Sequence, residues 1–358
     1  MNMNRLHGIV LFCFLCLIMV RQSAFAFEIT DALGRQIEFD NSPARVAVAG
    51  RGLLMVADAL YLFPEAAERI IAIEKITQGW GDFLGVVDPQ FGEKIIFPVN
   101  VGAEQILSAR PDVVFLKSYM ETNLGRPLER LGVKVVYLDF ETPDQYERDI
   151  LTIGKILGNE PRTREIIQYY KDMERRVSSR VSDLEYRRRP RVLLLYYSNR
   201  DGKIAFNVPP VGWMQTILVE RAGGNALWKD MKGTKGWIKV GFEQIAAWDP
   251  EQIYITAYFS DPDEIVRELI VDQKWQYLDA VRNEQIHAFP GDFFSWDQPD
   301  PRWILGLTWL ATRMHPDIFH DVDIMREARN FFMFLYRLND TEFDRYIRPR
   351  LIGGLGEQ

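Results

Sequence analysis

Residues 101–114 read VGAEQILSARPDVV, and residues 240–253 read VGFEQIAAWDPEQI. Aligned without gaps, six of the fourteen positions agree: Val, Gly, Glu, Gln, Ile and Pro. Each segment carries a short helix pattern, a turn at proline, and then an apolar run that reads as a buried strand. Those runs are Val113-Val114-Phe115-Leu116 and Ile253-Tyr254-Ile255. Between the copies lies EPRTREIIQYYKDMERRVSSRVSDL, residues 160–184. Pro161 suits a first helical turn, where its missing N–H costs nothing. Ile166, Tyr170, Met173, Val177, Val181 and Leu184 follow at spacings of three or four, giving one apolar stripe. Arg187-Arg188-Arg189-Pro190 stops the pattern. About 24 residues at ~1.5 Å each make a rod of roughly 36 Å. The sequence therefore proposes two similar lobes and one helical connection.

Length and composition agree with that division. The chain of 358 residues is long enough for two domains, and its 47% hydrophobic content is that of a globular protein. At the N-terminus Arg5, the apolar run Ile9 to Val20 and the small-x-small triplet Ala24-Phe25-Ala26 read as a secretion signal cleaved after Ala26. A retained anchor is the alternative, although twelve apolar residues are too few to span a bilayer. Both cysteines, Cys13 and Cys16, lie inside this signal. Disulfide scaffolds and cysteine chemistry are thereby excluded from the mature chain. Loss of Arg5 and Arg21 lowers the basic count from 43 to 41 against 50 acidic residues, a formal charge of −9. Nucleic acid is a poor partner for such a surface.

The rest of the chain alternates strand and helix signals. Phe27 to Phe39 reads as a hairpin turning at Leu33-Gly34. Val46–Ala49, Ile70–Ile73, Ile95–Phe97, Val113–Leu116 and Val135–Leu138 read as first-lobe strands. Val192–Tyr197, the second repeat copy and Ile286–Phe289 read as strands of the second lobe, with Ser198 to Pro210 as a loop. This alternation predicts an α/β fold of two Rossmann-like lobes with mostly parallel sheets, covered on both faces. The expected boundaries are a signal at 1–26, an N-terminal lobe at 27–143, connecting helices at 144–189 and a C-terminal lobe at 190–358.

In open α/β sheets, ligands bind outside the carboxyl ends of the strands. The loops expected there are rich in aromatic and basic residues. By position, Arg51, Trp80, Tyr119, Trp237, Trp296 and Arg302 are the candidate ligand contacts. A cleft with aromatic walls and a few cations suits a bulky, partly anionic ligand. Arg302 could instead pair with Asp297 or Asp300 and brace its loop. Catalysis finds little support, because no G-x-S-x-G elbow, P-loop or H-E-x-x-H is present. Only His287, His315 and His320 remain after export, and Pro316 keeps the last two off one helical face, so no metal site is expected. An exported α/β hydrolase is the distant alternative, with His287 the one histidine near a strand end.

This layout resembles the periplasmic substrate-binding proteins of ABC importers, in the group with a single rigid connecting helix. The resemblance covers nearly the whole mature chain. It rests on Asp31-x-x-Gly34-Arg35, Pro43-x-Arg45-Val46, Asn100-x-x-x-Glu104-x-Ile106, Arg110-Pro111-Asp112-Val113-Val114, Gly223-Gly224-Asn225 and Trp248-Asp249-Pro250. It implies a receptor that breaks no bond, needs no cofactor and carries a ligand to an inner-membrane permease. Members of the group take iron–siderophores, haem or vitamin B12, and some take molybdate or tungstate. An iron–siderophore chelate is the first expectation here; the oxyanions come next, then corrinoid or haem. The resemblance also implies that Glu104 and Glu243, one per repeat copy, meet arginines of the permease.

Overall fold

The computed structural model describes residues 26–231 and 236–355. The expected signal at 1–26 lies, apart from Ala26, outside the described residues. The chain opens with an antiparallel ribbon, β1 (Phe27–Thr30) and β2 (Gln36–Phe39), turned by Gly34 at φ 75°. Five strands then form one parallel sheet: β3 (Val46–Val48), β4 (Ile70–Glu74), β5 (Ile95–Phe97), β6 (Val113–Lys117) and β7 (Lys134–Leu138). Their spatial order is β5-β4-β3-β6-β7. Successive side chains of a strand point to opposite faces. Val46 and Val48 accordingly join the core shared with the connecting helices, while Ala47 and Ala49 join a smaller cluster under Ile106 and Leu128.

The second sheet takes β8 (Arg191–Arg200), β9 (Lys203–Val208), β10 (Asn225–Ala226), β11 (Ile238–Val240), β12 (Gln252–Thr256) and β13 (Ile286–Ala288). Its order is β11-β9-β8-β12-β13, with β10 alongside β8. Only β9 runs against its neighbours. This strand replaces the loop expected over 198–210. Asp201 and Gly202, at φ 53° and 78°, make the two-residue turn that a hairpin's twist favours.

The principal helices are α1 (Leu53–Leu60), α2 (Ala103–Ser108), α3 (Pro143–Leu157), α4 (Glu160–Val181), α5 (Met214–Arg221), α6 (Phe242–Trp248), α7 (Trp303–Met314) and α8 (Ile324–Tyr336). Helix α4 is the connection. Asn159 caps it by accepting from the Arg162 N–H, and its 22 residues span roughly 33 Å. Thr163, Ile166, Tyr170, Met173, Val177 and Val181 form the buried stripe. It ends three residues short of Leu184, the last member of the expected stripe.

Beyond α4, the C-terminal helix α8 also crosses between lobes. Arg162 donates to the carbonyls of Phe334 and Leu335, and Arg337 donates to those of Leu62 and Tyr61. One apolar core consequently runs through both lobes.

The repeat is as close in three dimensions as in sequence. Gly102 and Gly241 precede α2 and α6 with φ/ψ of −84°/162° and −88°/165°. Arg110 and Asp249, each before a proline, are both left-handed at φ 50° and 47°. Asp112 accepts from the Arg45 N–H and Glu251 from the Arg191 N–H, each at 2.8 Å. Both copies thus pin the start of the strand that begins their sheet's centre.

Candidate functional site

Strand β3 ends in Gly50-Arg51-Gly52. Both glycines have positive φ, 82° and 71°, and a Cβ on Gly52 would collide with the Tyr119 hydroxyl. Glu74, the last residue of β4 and buried, accepts from the N–H groups of Gly50 and Asn100 at 2.7 Å each. The Tyr119 hydroxyl donates to the Arg51 carbonyl at 3.0 Å. The loop backbone is therefore fixed, while the Arg51 guanidinium is exposed and has no ion-pair partner among the described residues. Tyr119, on the loop after β6, is 55% exposed. Lys117 just before it is buried and committed to Glu141 at 2.7 Å.

On the C-terminal lobe four rings gather at the strand ends. Tyr196 stacks on Tyr258 with centroids 4.7 Å apart, and Trp237 lies 4.9 Å from Tyr196 and 5.7 Å from Trp213. Tyr258 donates to the buried Asp297 at 2.6 Å, which also accepts from Ser295 at 2.6 Å and Thr256 at 2.8 Å. Burial pushes the Asp297 carboxyl up, and these donors oppose that rise. The network fixes the Tyr258 ring as part of a wall. Sequence reading missed Tyr196, Trp213 and Tyr258 as a group, because they converge only when β8, β12 and two loops are folded.

Two of the candidates are not on an open surface. Arg302 and Trp296 are both fully buried. Arg302 pairs with Asp58 of α1 and, at 2.8 Å, with Asp292. Phe83 lies under its guanidinium at 4.3 Å. The Tyr336 hydroxyl completes the set by donating to Asp58. Trp296 donates its indole N–H to Asp292 at 2.8 Å. Nor does Arg302 form the alternative side-chain pair with Asp297 or Asp300; its backbone N–H bonds Asp300 at 2.8 Å. The physical reason is the seam. The loop 290–302 is fastened onto the N-terminal lobe, and a buried guanidinium there needs carboxylates from both sides. Trp80 lies at the rim of this seam, half-buried. Its backbone N–H donates to the Phe293 carbonyl at 2.8 Å, and its backbone carbonyl accepts from Arg350 at 3.0 Å. Loop 77–83, which follows β4, thus meets loop 290–302, which follows β13. Arg51 and Tyr119 stand at strand ends of the N-terminal lobe, and Trp237 with its three rings at strand ends of the C-terminal lobe.

Glu104 and Glu243 sit in the first turns of α2 and α6, both exposed. Neither makes an ion pair or side-chain hydrogen bond among the described residues. His287 is largely buried beside Tyr254, and burial lowers its pKa to about 4. Among the described residues no group of three His, Cys, Asp or Glu is placed to hold a metal ion, and no helix is long and apolar enough to cross a membrane.

Two lobes of mostly parallel sheet joined by a single connecting helix are the architecture of a ligand-capturing receptor. The chain belongs to the periplasmic binding protein family, whose model matches residues 98–292. That class serves ABC transporters from the periplasm. Among curated proteins the chain is similar to the molybdate-binding protein MolA of Haemophilus influenzae, 23% identical over 338 residues, 86% of this chain and 90% of that protein. Solved structures share the fold. MolA bound to molybdate matches with a TM-score of 0.71 at 20% identity, over 87% of this chain and 98% of that one. A periplasmic solute-binding protein of Veillonella parvula matches at 0.69 and 22%, over 90% and 97%. CeuE of Helicobacter pylori matches at 0.67 and 16%, over 90% and 99%.

Proposed function

We propose that this chain is an exported receptor that captures an iron–siderophore chelate between its lobes and delivers it to an inner-membrane permease. The ligand class is supported by two features, an exposed Arg51 with no ion-pair partner among the described residues and the ring cluster around Trp237. A guanidinium meets anionic ligand oxygens, and fixed aromatic faces pack a bulky body. In this reading Arg51, Tyr119, Trp237 and the rim residue Trp80 touch the ligand, while Trp296 and Arg302 hold the lobes. Glu104 and Glu243 dock the permease, since two separated carboxylates on one rigid body can register it over two cationic sites. Export uses the N-terminal signal, with cleavage after Ala26.

A molybdate-type oxyanion is the second reading. It is supported by the likeness to MolA along most of both chains. Native mass spectrometry of the protein from its source, with metal analysis of the same sample, tests the choice. A bound mass of several hundred daltons carrying iron is the expected result. A bound mass of a single tetrahedral oxyanion with molybdenum or tungsten would replace the chelate and keep the receptor.

A further inference from the structure

The charges at the lobe seam do not balance. Among the described residues, the carboxylates of Asp58, Asp292 and Asp300 gather at the Arg302 guanidinium, and all four residues are fully buried. Counted as ordinary ions, three carboxylates and one guanidinium sum to −2. Phe83, Phe294 and Phe332 surround the guanidinium at 4.3, 5.1 and 5.4 Å, so apolar rings rather than water lie against it. A buried acid escapes an unbalanced charge by keeping its proton.

The hydrogen bonds show which carboxyl is the odd one. Asp58 accepts from the Arg302 guanidinium and from the Tyr336 hydroxyl. Asp292 accepts from Arg302 Nε and from the Trp296 indole, each at 2.8 Å. Asp300 accepts on Oδ1 from the Arg302 backbone N–H, while its Oδ2 has no partner among the described residues. The elements packed around it supply no second cation. They bring Asp58 on α1, Tyr146 on α3, Tyr170 on α4 and Tyr336 on α8, beside Asp292 and Arg302 of its own loop. Burial pushes the Asp300 carboxyl well up; Arg302 opposes that rise, and Asp58 and Asp292 add to it.

We infer that Asp300 is a neutral carboxylic acid in the fastened seam, and that its ionisation is a pH-sensitive release between the lobes. With the proton in place the seam holds two carboxylates against one guanidinium. Its loss adds a further buried charge, which loosens loop 290–302 from Asp58 and the N-terminal lobe. The unfolded chain gives up this proton near pH 4, the folded chain well above that. The stabilisation is therefore complete below about pH 4 and drains as pH rises toward the folded value.

Urea unfolding of residues 27–358 between about pH 7 and 9 reads the proton. His287, lowered to about 4, and Asp149, raised to about 6, finish titrating below that window. The wild-type unfolding constant should rise by up to about tenfold per pH unit. Asp300→Asn puts a neutral amide in place of a neutral acid of the same shape, so it should fold and lose most of that rise. Asp292→Asn removes an ionised partner of Arg302 and should lower the midpoint at every pH in the window. Spin labels at Gln105→Cys and Gln244→Cys, exposed and matching positions of the two repeat copies, read the lobe separation; both native cysteines, Cys13 and Cys16, precede residue 27. The wild-type distance distribution should broaden from pH 7 to pH 9, and that of Asp300→Asn should stay the same. A flat wild-type slope, a slope that persists undiminished in Asp300→Asn, failure of that variant to fold, or a wild-type distribution indifferent to pH each overturns the inference.

Discussion

Arg51 and Arg302 look alike in the sequence: each sits in a loop after a strand, and each suggests a cation for an anionic ligand. The fold treats them oppositely. Arg302 lies with no exposed surface between Asp58 and Asp292, over the Phe83 ring. Arg51 stands on a backbone clamped by Glu74 and Tyr119 with its guanidinium in solvent. One cation joins the lobes and the other has no ion-pair partner among the described residues. The lesson is that a loop arginine is read by its uncommitted bonds, not by its position.

The sharpest break of this comparison is Arg302→Ala. Removing one partner of a buried pair strands the other charges, so a loss of about 3–5 kcal/mol is expected in urea unfolding. A loss below about 1 kcal/mol, the range of an exposed ion pair, would mean the seam is not what holds the lobes. Next comes acid. The folded chain keeps the His287 imidazole neutral down to about pH 4, whereas the unfolded chain takes up a proton near 6.5. Stability supplied by the neutral ring is complete above pH 6.5 and drains as pH falls toward 4, by up to about 3 kcal/mol. His287→Gln should flatten the stability curve across that window, and an unchanged slope would assign the acid sensitivity elsewhere.

Tyr336→Phe removes the hydroxyl that donates to Asp58 and should cost about 1–3 kcal/mol. It reports the seam without disturbing Arg302 itself. At the small end, Arg51→Ala should leave stability within about 0.5 kcal/mol yet strip the co-purified ligand in native mass spectrometry. A retained ligand would move the anion contact off Arg51. Glu104→Lys with Glu243→Lys should likewise unfold at the wild-type urea midpoint and abolish uptake in whole cells. Normal uptake would remove the docking role.

How much of this was legible varies with the range of the interaction. The repeat was readable because its identities have local causes: Gly102 and Gly241 start helices, Ile106 and Ile245 fill cores, and proline follows a left-handed residue in both copies. The α4 stripe was readable for the same reason, from helical period alone. Strand β9 was within reach, since Asp201-Gly202 between Tyr197 and Phe206 is a strong hairpin signal. Arg302 was not, because its partner Asp58 lies 244 positions earlier. One clue did exist. Asp58 sits in the apolar run Leu53 to Leu62, and a lone carboxylate there demands a distant cation. The ring cluster of Tyr196, Trp213, Trp237 and Tyr258 carried no such clue, being spread over 63 positions with no common period.

The seam has a consequence for the transporter's traffic. If Glu104 and Glu243 dock the permease as proposed, lobes tied by α4, α8 and a buried charge cluster would present them at nearly one separation with or without ligand. A permease that measured that separation would not tell a loaded carrier from an empty one before it docked. Empty copies would then compete for the same seats, and uptake would follow the fraction of carriers filled rather than their number. Overproducing the protein at scarce ligand should slow import instead of speeding it.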